Sequence, residues 1–221
     1  MIQLIAFDLD GTLIDSRRDI ADSANEMLGT YGASPIPFEA VLGMVGEGAK
    51  LLITRVLAAA QVPASVDEAL DRFLVIYHRR LVDHTRPYAG VVDTLRALEA
   101  AGCKLAVLTN KPRDPAVEIL RHFDLMNLFV AVVGGDGDLP WKPDLGNLLV
   151  ICEQIGIGAD NAMVVGDSWV DVETARNAGA GVCFVNWGFG QPPAEGFRAG
   201  EWRIDRPDAL LEIVAGAASA R

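Results

Sequence analysis

The stretch that decides the fold reads Ile2-Gln3-Leu4-Ile5-Ala6-Phe7-Asp8-Leu9-Asp10-Gly11-Thr12. Its mostly apolar run, Ile2 to Phe7, does not alternate regularly between apolar and polar residues, which is typical of a parallel strand covered on both faces. Asp8 and Asp10 follow the strand two residues apart, so their side chains point to the same side of an extended chain. Gly11 then allows a tight turn and a close approach of the backbone to a ligand. This pattern alone is also compatible with a solvated, aspartate-rich turn.

Four further apolar runs indicate buried strands. They are Lys104 to Leu108, Phe129 to Val133, Ala162 to Val165 and Gly181 to Val185. Helical patterns lie between or beside these runs, at Val91 to Ala101, Pro115 to Phe123, Leu145 to Ile155 and Val170 to Ala178. Because strands and helices alternate, the sequence predicts a doubly wound α/β fold with a parallel sheet.

The segment from Ser16 to Thr85 has a different pattern and contains no convincing strand. Its helical stretches are Arg18 to Leu28, Phe38 to Leu42, Ala49 to Ala60 and Val66 to Val82. The segment follows the first strand and precedes the rest of the sheet. We therefore predict a small helical domain, residues 16–85, inserted into an α/β core formed by residues 1–15 and 86–221.

Polar side chains follow several of the predicted strands. Thr109 and Asn110 follow the second strand, Lys142 lies in the loop after the third, and Asp167 follows the fourth, with Asp171 four residues later. In open parallel sheets, ligands bind outside the carboxyl ends of the strands. Carboxylates that converge there require a cation, and hard oxygen ligands suit Mg²⁺. Taken singly, Asp171 could be a first-turn acid favoured by the helix dipole and Lys142 a surface lysine.

Composition excludes some classes of partner. The formal net charge is -11, so we expect no binding to nucleic acid and no attraction to anionic membrane surfaces. No stretch approaches the roughly 20 apolar residues that a membrane span needs. The three cysteines have no C-x-x-C spacing, which fits a reducing compartment. The expected location is the cytoplasm.

Taken together, these motifs resemble those of the haloacid dehalogenase-like superfamily of phosphohydrolases. The segment Asp8-Leu9-Asp10-Gly11-Thr12-Leu13 resembles the first motif of the superfamily. The segment Leu108-Thr109-Asn110 resembles the second. Lys142-Pro143 resembles the third motif, and Gly166-Asp167-Ser168 together with Asp171 resembles the fourth. The resemblance covers nearly the whole chain, and all four motifs occur in order.

The resemblance implies a role for each motif residue. Asp8 would be the nucleophile that takes the phosphoryl group, and Asp10 the general acid and then the general base. Mg²⁺ would be held by Asp8, the backbone carbonyl of Asp10, and Asp167, with Asp171 acting through water. The phosphoryl oxygens would be held by Thr109, Asn110 and Lys142. An aspartate at position 10 is absent from the dehalogenases and phosphonate hydrolases of the superfamily, so the cleavage of carbon–halogen and carbon–phosphorus bonds is not expected.

The inserted helices resemble the cap of the same superfamily, which closes over the site and selects the substrate. The loop from Gly43 to Lys50 is rich in glycine and is similar to the cap loop of phosphoglycolate phosphatases. A simple helix–helix turn is the alternative interpretation. The candidate specificity residues are Gly46, Glu47, Gly48 and Lys50, and either Lys50 or Arg55 is a candidate partner for a substrate carboxylate. The segment Trp187 to Gly190 resembles the glycine-containing segment usual in the superfamily, and a packed surface loop is the favoured interpretation.

The leading hypothesis is therefore a Mg²⁺-dependent phosphatase that acts on a small phosphorylated metabolite through an aspartyl phosphate. The first candidate substrate is 2-phosphoglycolate. The alternative is a phosphomutase that acts on a sugar phosphate with the same nucleophile. A third class, a non-catalytic phosphate sensor, would be expected to have lost the acidic motif residues. The sequence leaves the natural substrate open, and it leaves both a monomer and a homodimer possible.

Overall fold

The computed structural model describes residues 1–219. Ala220 and Arg221, which the sequence analysis assigns to the core, lie outside the described residues. The strands are β1 (Leu4–Phe7), β2 (Ile14–Asp15), β3 (Arg86–Pro87), β4 (Lys104–Leu108), β5 (Ala131–Val133), β6 (Ala162–Gly166), β7 (Gly181–Val185) and β8 (Trp202–Ile204). Six of them form one sheet in the order β5-β4-β1-β6-β7-β8, and every neighbouring pair is parallel.

The described residues contain nine α-helices. They are α1 (Arg17–Gly29), α2 (Phe38–Leu42), α3 (Ala49–Ala59), α4 (Val66–Arg80), α5 (Val91–Ala100), α6 (Arg113–His122), α7 (Gly146–Ile155), α8 (Trp169–Ala178) and α9 (Ala209–Ser219). The predicted doubly wound α/β fold is confirmed. Strand β8 and helix α9 were not predicted. Within residues 1–219, no helix is both long enough and apolar enough to cross a membrane.

Both faces of the sheet are covered, as the unbroken apolar strands require. On β1, Ile5 and Phe7 pack into a cluster with side chains of α5, α6 and α9, whereas Leu4 and Ala6 pack into a second cluster with side chains of α7 and α8. All four residues are buried. Alternate side chains of β1 therefore pack against the helices on both faces of the sheet. Because β1 is the third of six strands in the sheet, its carboxyl end lies near the middle of the sheet edge.

Helices α1 to α4 lie between β2 and β3, which pair antiparallel as a short ribbon. The buried carboxylate of Asp19 at the start of α1 accepts the backbone N–H groups of His84 and Thr85 and the hydroxyl of Thr85. These bonds connect the start of the helical segment with its end, next to the ribbon. The domain limits at residues 15/16 and 85/86 stay a prediction.

Candidate active site

Three adjacent strands bring the predicted motif residues together. Asp8 follows β1, Thr109 follows β4, and Asp167 follows β6, and β1 lies between β4 and β6 in the sheet. The carboxyl ends of parallel strands lie at one edge. The order of the strands therefore gathers polar residues that are up to 159 positions apart in the sequence, from Asp8 to Asp167.

A cluster of carboxylates forms at this edge. Asp8, Asp167 and Asp171 are buried, and each offers an oxygen within 4.8 Å of the others. Nζ of Lys142 lies 2.8 Å from Oδ1 of Asp8 and 2.5 Å from Oδ1 of Asp171. Three carboxylates against one ammonium leave two negative charges without a cationic side chain when all four groups are ionised, which matches the charge of a divalent cation.

Burial and like charges change the acidity of these groups. Burial raises the pKa of Asp167 to about 8, with further contributions from the charges of Asp8 and Asp171. Burial also raises the pKa of Asp8 to about 6, against the opposing effect of Lys142. For Lys142, burial favours the neutral amine, but the charges of Asp171 and Asp8 outweigh it and raise its pKa above the ordinary lysine value. Lys142 is therefore cationic, whereas Asp8 and Asp167 resist full ionisation without a further cation.

The surroundings of Asp167 fit a metal ligand. Its Oδ2 accepts the backbone N–H groups of Phe189 at 2.8 Å and Gly190 at 2.7 Å, and no cationic side chain binds it among the described residues. A Cβ on Gly11 would lie 2.1 Å from Oδ2 of Asp167, and a Cβ on Gly188 would lie 2.3 Å from its Cβ. The loop after β7, interpreted from the sequence as a packed surface loop, therefore fixes this carboxylate through its backbone. Anionic oxygen donors of this kind suit Mg²⁺.

The amino terminus of α8 fixes Asp171. Its Oδ2 accepts the backbone N–H of Ser168 at 3.1 Å and the Ser168 hydroxyl at 2.6 Å, as part of a capping box. Its other oxygen accepts the bond from Lys142. Asp171 is thus a first-turn acid, one of the two interpretations open from the sequence, and also a member of the buried cluster. The predicted contact of Asp171 with a metal through water stays a prediction.

Asp10 has a different set of partners from Asp8. The hydroxyl of Ser16 donates to its Oδ1 at 2.6 Å, and Nζ of Lys111 lies 3.1 Å from Oδ1 and 3.0 Å from Oδ2. Ser16 lies just after β2, at the entry to the helical segment. The side chain of Asp10 is therefore held between the first residue of that segment and the end of β4.

The two neutral residues after β4 also bond to protein groups. The side chain of Asn110 accepts the backbone N–H of Lys142 at 2.9 Å and donates to the Lys142 carbonyl at 3.1 Å. Oγ1 of Thr109 accepts the backbone N–H of Lys111 at 3.2 Å, which leaves its hydroxyl proton available to a ligand. Asn110 thereby positions the loop that carries Lys142. The predicted contacts of both residues with phosphoryl oxygens stay predictions.

A cavity of about 70 Å³ opens beside Asp8, between the sheet edge and the helical segment. The polar part of its wall consists of Asp8, Asp10, Thr109, Asn110 and Lys111 at the sheet edge, together with Tyr77 of α4. The apolar part comes mainly from α1, α3, α4 and the glycine-rich loop, and includes Ile20, Val45, Leu52, Phe73 and Leu74. The helical segment therefore covers part of the space beside the candidate nucleophile.

The candidate specificity residues of the glycine-rich loop fall into two groups. Gly46 and Gly48 line the cavity, whereas Glu47 and Lys50 line a separate outer groove. Glu47 pairs with Arg55 at 2.7 Å, and Lys50 pairs with Asp67 at 2.7 Å.

Gly48 also lies against Trp141 of the sheet domain. A Cβ at Gly48 would lie 2.8 Å from the Trp141 ring, so glycine allows this contact between the helical segment and the loop before Lys142.

The sequence analysis gave no role to two residues in the cavity wall, Lys111 and Tyr77. Nζ of Lys111 lies 2.5 Å from the hydroxyl of Tyr77 and 4.5 Å from the centroid of its ring. Lys111 is buried, and burial alone favours its neutral form, but Asp10 and Tyr77 raise its pKa above the ordinary lysine value. Its position directly after Thr109 and Asn110 at a strand end was the available signal. Tyr77, in the middle of α4, gave no signal.

Comparison with known proteins identifies relatives along nearly the whole chain. The sequence model of the haloacid dehalogenase-like hydrolases matches residues 5–185. The phosphoglycolate phosphatase of Caulobacter vibrioides is 38% identical over 194 residues, which are 86% of this chain and 82% of that protein. A plasmid phosphoglycolate phosphatase of Cupriavidus necator is 36% identical over 214 residues, which are 95% of this chain and 92% of that protein.

The fold agrees with a crystal structure of similar size. The structure of a predicted phosphoglycolate phosphatase from Haemophilus somnus superimposes with a TM-score of 0.90 and 31% sequence identity. The superposition covers 96% of this chain and 98% of that chain. The similarity therefore includes the helical segment as well as the sheet.

Proposed function

Because the chain belongs to the haloacid dehalogenase-like hydrolase family, we propose that it is a Mg²⁺-dependent phosphatase that works through an aspartyl phosphate on Asp8. It is a phosphoric monoester hydrolase, and its first candidate substrate is 2-phosphoglycolate, the compound for which its relatives are named. The observation that carries the proposal is the buried cluster of Asp8, Asp167 and Asp171, with Lys142 against Asp8 and Asp171, beside a cavity lined by Asp8.

The same cluster supports the metal requirement. Asp8, Asp167 and the backbone carbonyl of Asp10 would hold Mg²⁺, with Asp171 behind them. When bound, Mg²⁺ would supply the positive charge that lets an anionic carboxylate and an anionic phosphoryl group approach each other. The raised pKa of Asp167 supports this assignment, because burial without a nearby cation is its main cause.

In the first chemical step, a carboxylate oxygen of Asp8 forms a bond to phosphorus as the bond from phosphorus to the leaving oxygen breaks. Asp10 donates a proton to that oxygen, so the alcohol leaves as a neutral group. Lys142 keeps Asp8 ionised and offsets charge on the phosphoryl oxygens, because its buried ammonium is already 2.8 Å from Asp8. Asp171 orients Lys142 through their bond of 2.5 Å.

In the second step, water attacks the phosphorus of the aspartyl phosphate. Asp10, now ionised, accepts a proton from this water, and the bond from phosphorus to Asp8 breaks. The products are inorganic phosphate and the free carboxylate of Asp8. Ser16 and Lys111 hold the Asp10 side chain in one position for both proton transfers.

The size of the cavity favours a small leaving group. The cavity of about 70 Å³ holds only a few water-sized groups, and the helical segment forms most of its apolar wall. A two-carbon acid such as glycolate fits this volume better than a hexose does.

The test is phosphate release by the purified full chain from a panel of phosphate monoesters, with Mg²⁺ or with a chelator. The panel contains 2-phosphoglycolate, hexose phosphates, nucleoside monophosphates and pyrophosphate. We expect release from 2-phosphoglycolate that requires Mg²⁺. The Asp8→Asn variant should be inactive, whereas Asp93→Asn, on the exposed side of α5, should match the wild type. Absence of release from every compound would contradict the proposal.

The panel also tests the phosphomutase alternative. Isomerisation of a hexose phosphate without net phosphate release would support a mutase in place of a phosphatase. Three expectations stay predictions. They are a cytoplasmic location, a monomer or a homodimer, and the absence of nucleic acid and membrane partners.

A further inference from the structure

One cationic side chain lines the cavity among its described wall residues. It is Lys111, in a wall that otherwise offers two carboxylates, small polar groups and apolar side chains. Lys142 belongs to the carboxylate cluster and is not part of this wall. A substrate that carries a second anionic group, besides its phosphoryl group, would need a cation in this low-dielectric space. Lys111 is placed to supply it.

The other candidate cations have partners elsewhere. Lys50 and Arg55, the residues that the sequence offers for a substrate carboxylate, pair with Asp67 and Glu47, and neither lines the cavity. Their partners are partly exposed, and the side chain of Lys50 is 55% exposed. A charged pair near the surface contributes little to discrimination between ligands, because water screens it.

Lys111 and Tyr77 have unused capacity to donate hydrogen bonds. The two oxygens of Asp10 lie at nearly equal distances from Nζ of Lys111, so one of its three N–H groups can serve both. A second N–H serves the oxygen of Tyr77. The Tyr77 hydroxyl accepts this bond, so its own proton and one N–H of Lys111 remain for a ligand.

We propose that Lys111 and Tyr77 together bind the carboxylate of a short phosphorylated acid and thereby determine substrate specificity. The inference rests on the proposed phosphatase function and deepens it, because it assigns the second anionic group of the substrate to named residues. Lys111 comes from the sheet edge and Tyr77 from α4, so the substrate acid contacts both the sheet domain and the helical segment. Asp10 shares Lys111 with this carboxylate and keeps its bond from Ser16.

The test compares two substrates of similar length. One is 2-phosphoglycolate, and the other is 2-hydroxyethyl phosphate, in which a neutral alcohol replaces the carboxylate. The readout is the ratio of kcat/KM for the acid to kcat/KM for the alcohol. Lys111→Met keeps the length of the side chain and removes its charge. Lys104→Met, at the exposed amino end of the same strand, is the matched control.

We expect Lys111→Met to lower this ratio by about 10- to 100-fold, the range for a lost hydrogen bond to a charged group. Lys104→Met should leave it unchanged. If Lys111→Met lowers kcat/KM equally for both substrates, Lys111 acts only through Asp10 and the inference is wrong. A wild type that hydrolyses the neutral ester as well as the acid would also overturn it, although the phosphatase function would stand. A wild type that hydrolyses no phosphate monoester would instead refute the proposed function.

Tyr77→Phe provides a second variant in case Lys111→Met fails to fold. It removes one hydroxyl and keeps the ring that packs against Phe73. The ratio should fall by about 10-fold, the lower end of the range for a lost hydrogen bond to a charged group. An unchanged ratio in Tyr77→Phe, with both activities retained, would contradict the role of the hydroxyl.

Discussion

The replacement Lys142→Met tests the charge balance of the carboxylate cluster. The side chain of Lys142 is 3% exposed, and those of Asp8 and Asp171 are 12% and 2% exposed. Water therefore screens these pairs very little. Removing one partner of a buried ion pair typically costs about 3–5 kcal/mol, because the remaining charge is buried without compensation. We expect a loss of this size in the free energy of unfolding at about pH 8 in the absence of metal.

The loss should be smaller at about pH 5.5, and the direction follows from the acids that remain. The pKa of Asp8 is already raised to about 6 in the presence of Lys142, and it rises further when the ammonium is removed. A group whose folded-state pKa exceeds its unfolded value stabilises the fold at low pH and loses this contribution as the pH rises through the folded-state pKa. The stability difference between wild type and variant should therefore increase with pH.

The assay is urea unfolding followed by tryptophan fluorescence, with a chelator present, at both pH values. Lys104→Met is the control, and as an exposed substitution it should change the stability by less than about 0.5 kcal/mol. If Lys142→Met lowers the free energy of unfolding no more than Lys104→Met at pH 8, the predicted cost of an unpaired buried carboxylate is wrong. The predicted pH dependence is wrong if the cost is the same at the two pH values.

Two further predictions concern the metal ligand and the glycine-rich loop. Without metal, thermal stability should fall from about pH 5 to pH 8, because the pKa of folded Asp167 is about 8 and that of the unfolded chain is about 4. The slope should be smaller in Asp167→Asn. Gly48→Ala should lower kcat/KM more than Gly46→Ala, because only the former places a methyl group against Trp141, although both glycines have a positive φ. Equal losses would exclude the Trp141 contact as the cause.

Much of the site follows from the sequence because strand ends in a parallel sheet meet at one edge. The apolar runs place Asp8 and Asp167 at strand ends on one edge of the predicted sheet. The structure shows that the two strands are adjacent and brings both residues into one cluster with Asp171 and Lys142. The sheet was predictable for the same reason, since strands buried on both faces are apolar throughout. Strand β8 was missed because its three residues, at the sheet edge, form no apolar run.

Other features depend on contacts that no local pattern contains. The loop after β7 binds Asp167 through backbone N–H groups, which every residue except proline possesses. Tyr77 of α4 meets Lys111 across 34 positions of the chain. On sequence alone, Tyr77 is one of the apolar positions of an amphipathic helix. Such pairings need the packing of the helical segment on the sheet, which the sequence predicts only in outline.

The most direct test of the proposed aspartyl phosphate on Asp8 is to trap the enzyme during turnover. Wild type and Asp8→Asn are mixed with 2-phosphoglycolate and Mg²⁺, quenched in acid within one turnover, and digested for peptide mass spectrometry. We expect a phosphoryl group on Asp8 of the wild type, formed no later than inorganic phosphate, and neither modification nor phosphate release in the variant. A phosphoryl group on another residue, or phosphate release by Asp8→Asn at the wild-type rate, would contradict the role of Asp8 as nucleophile.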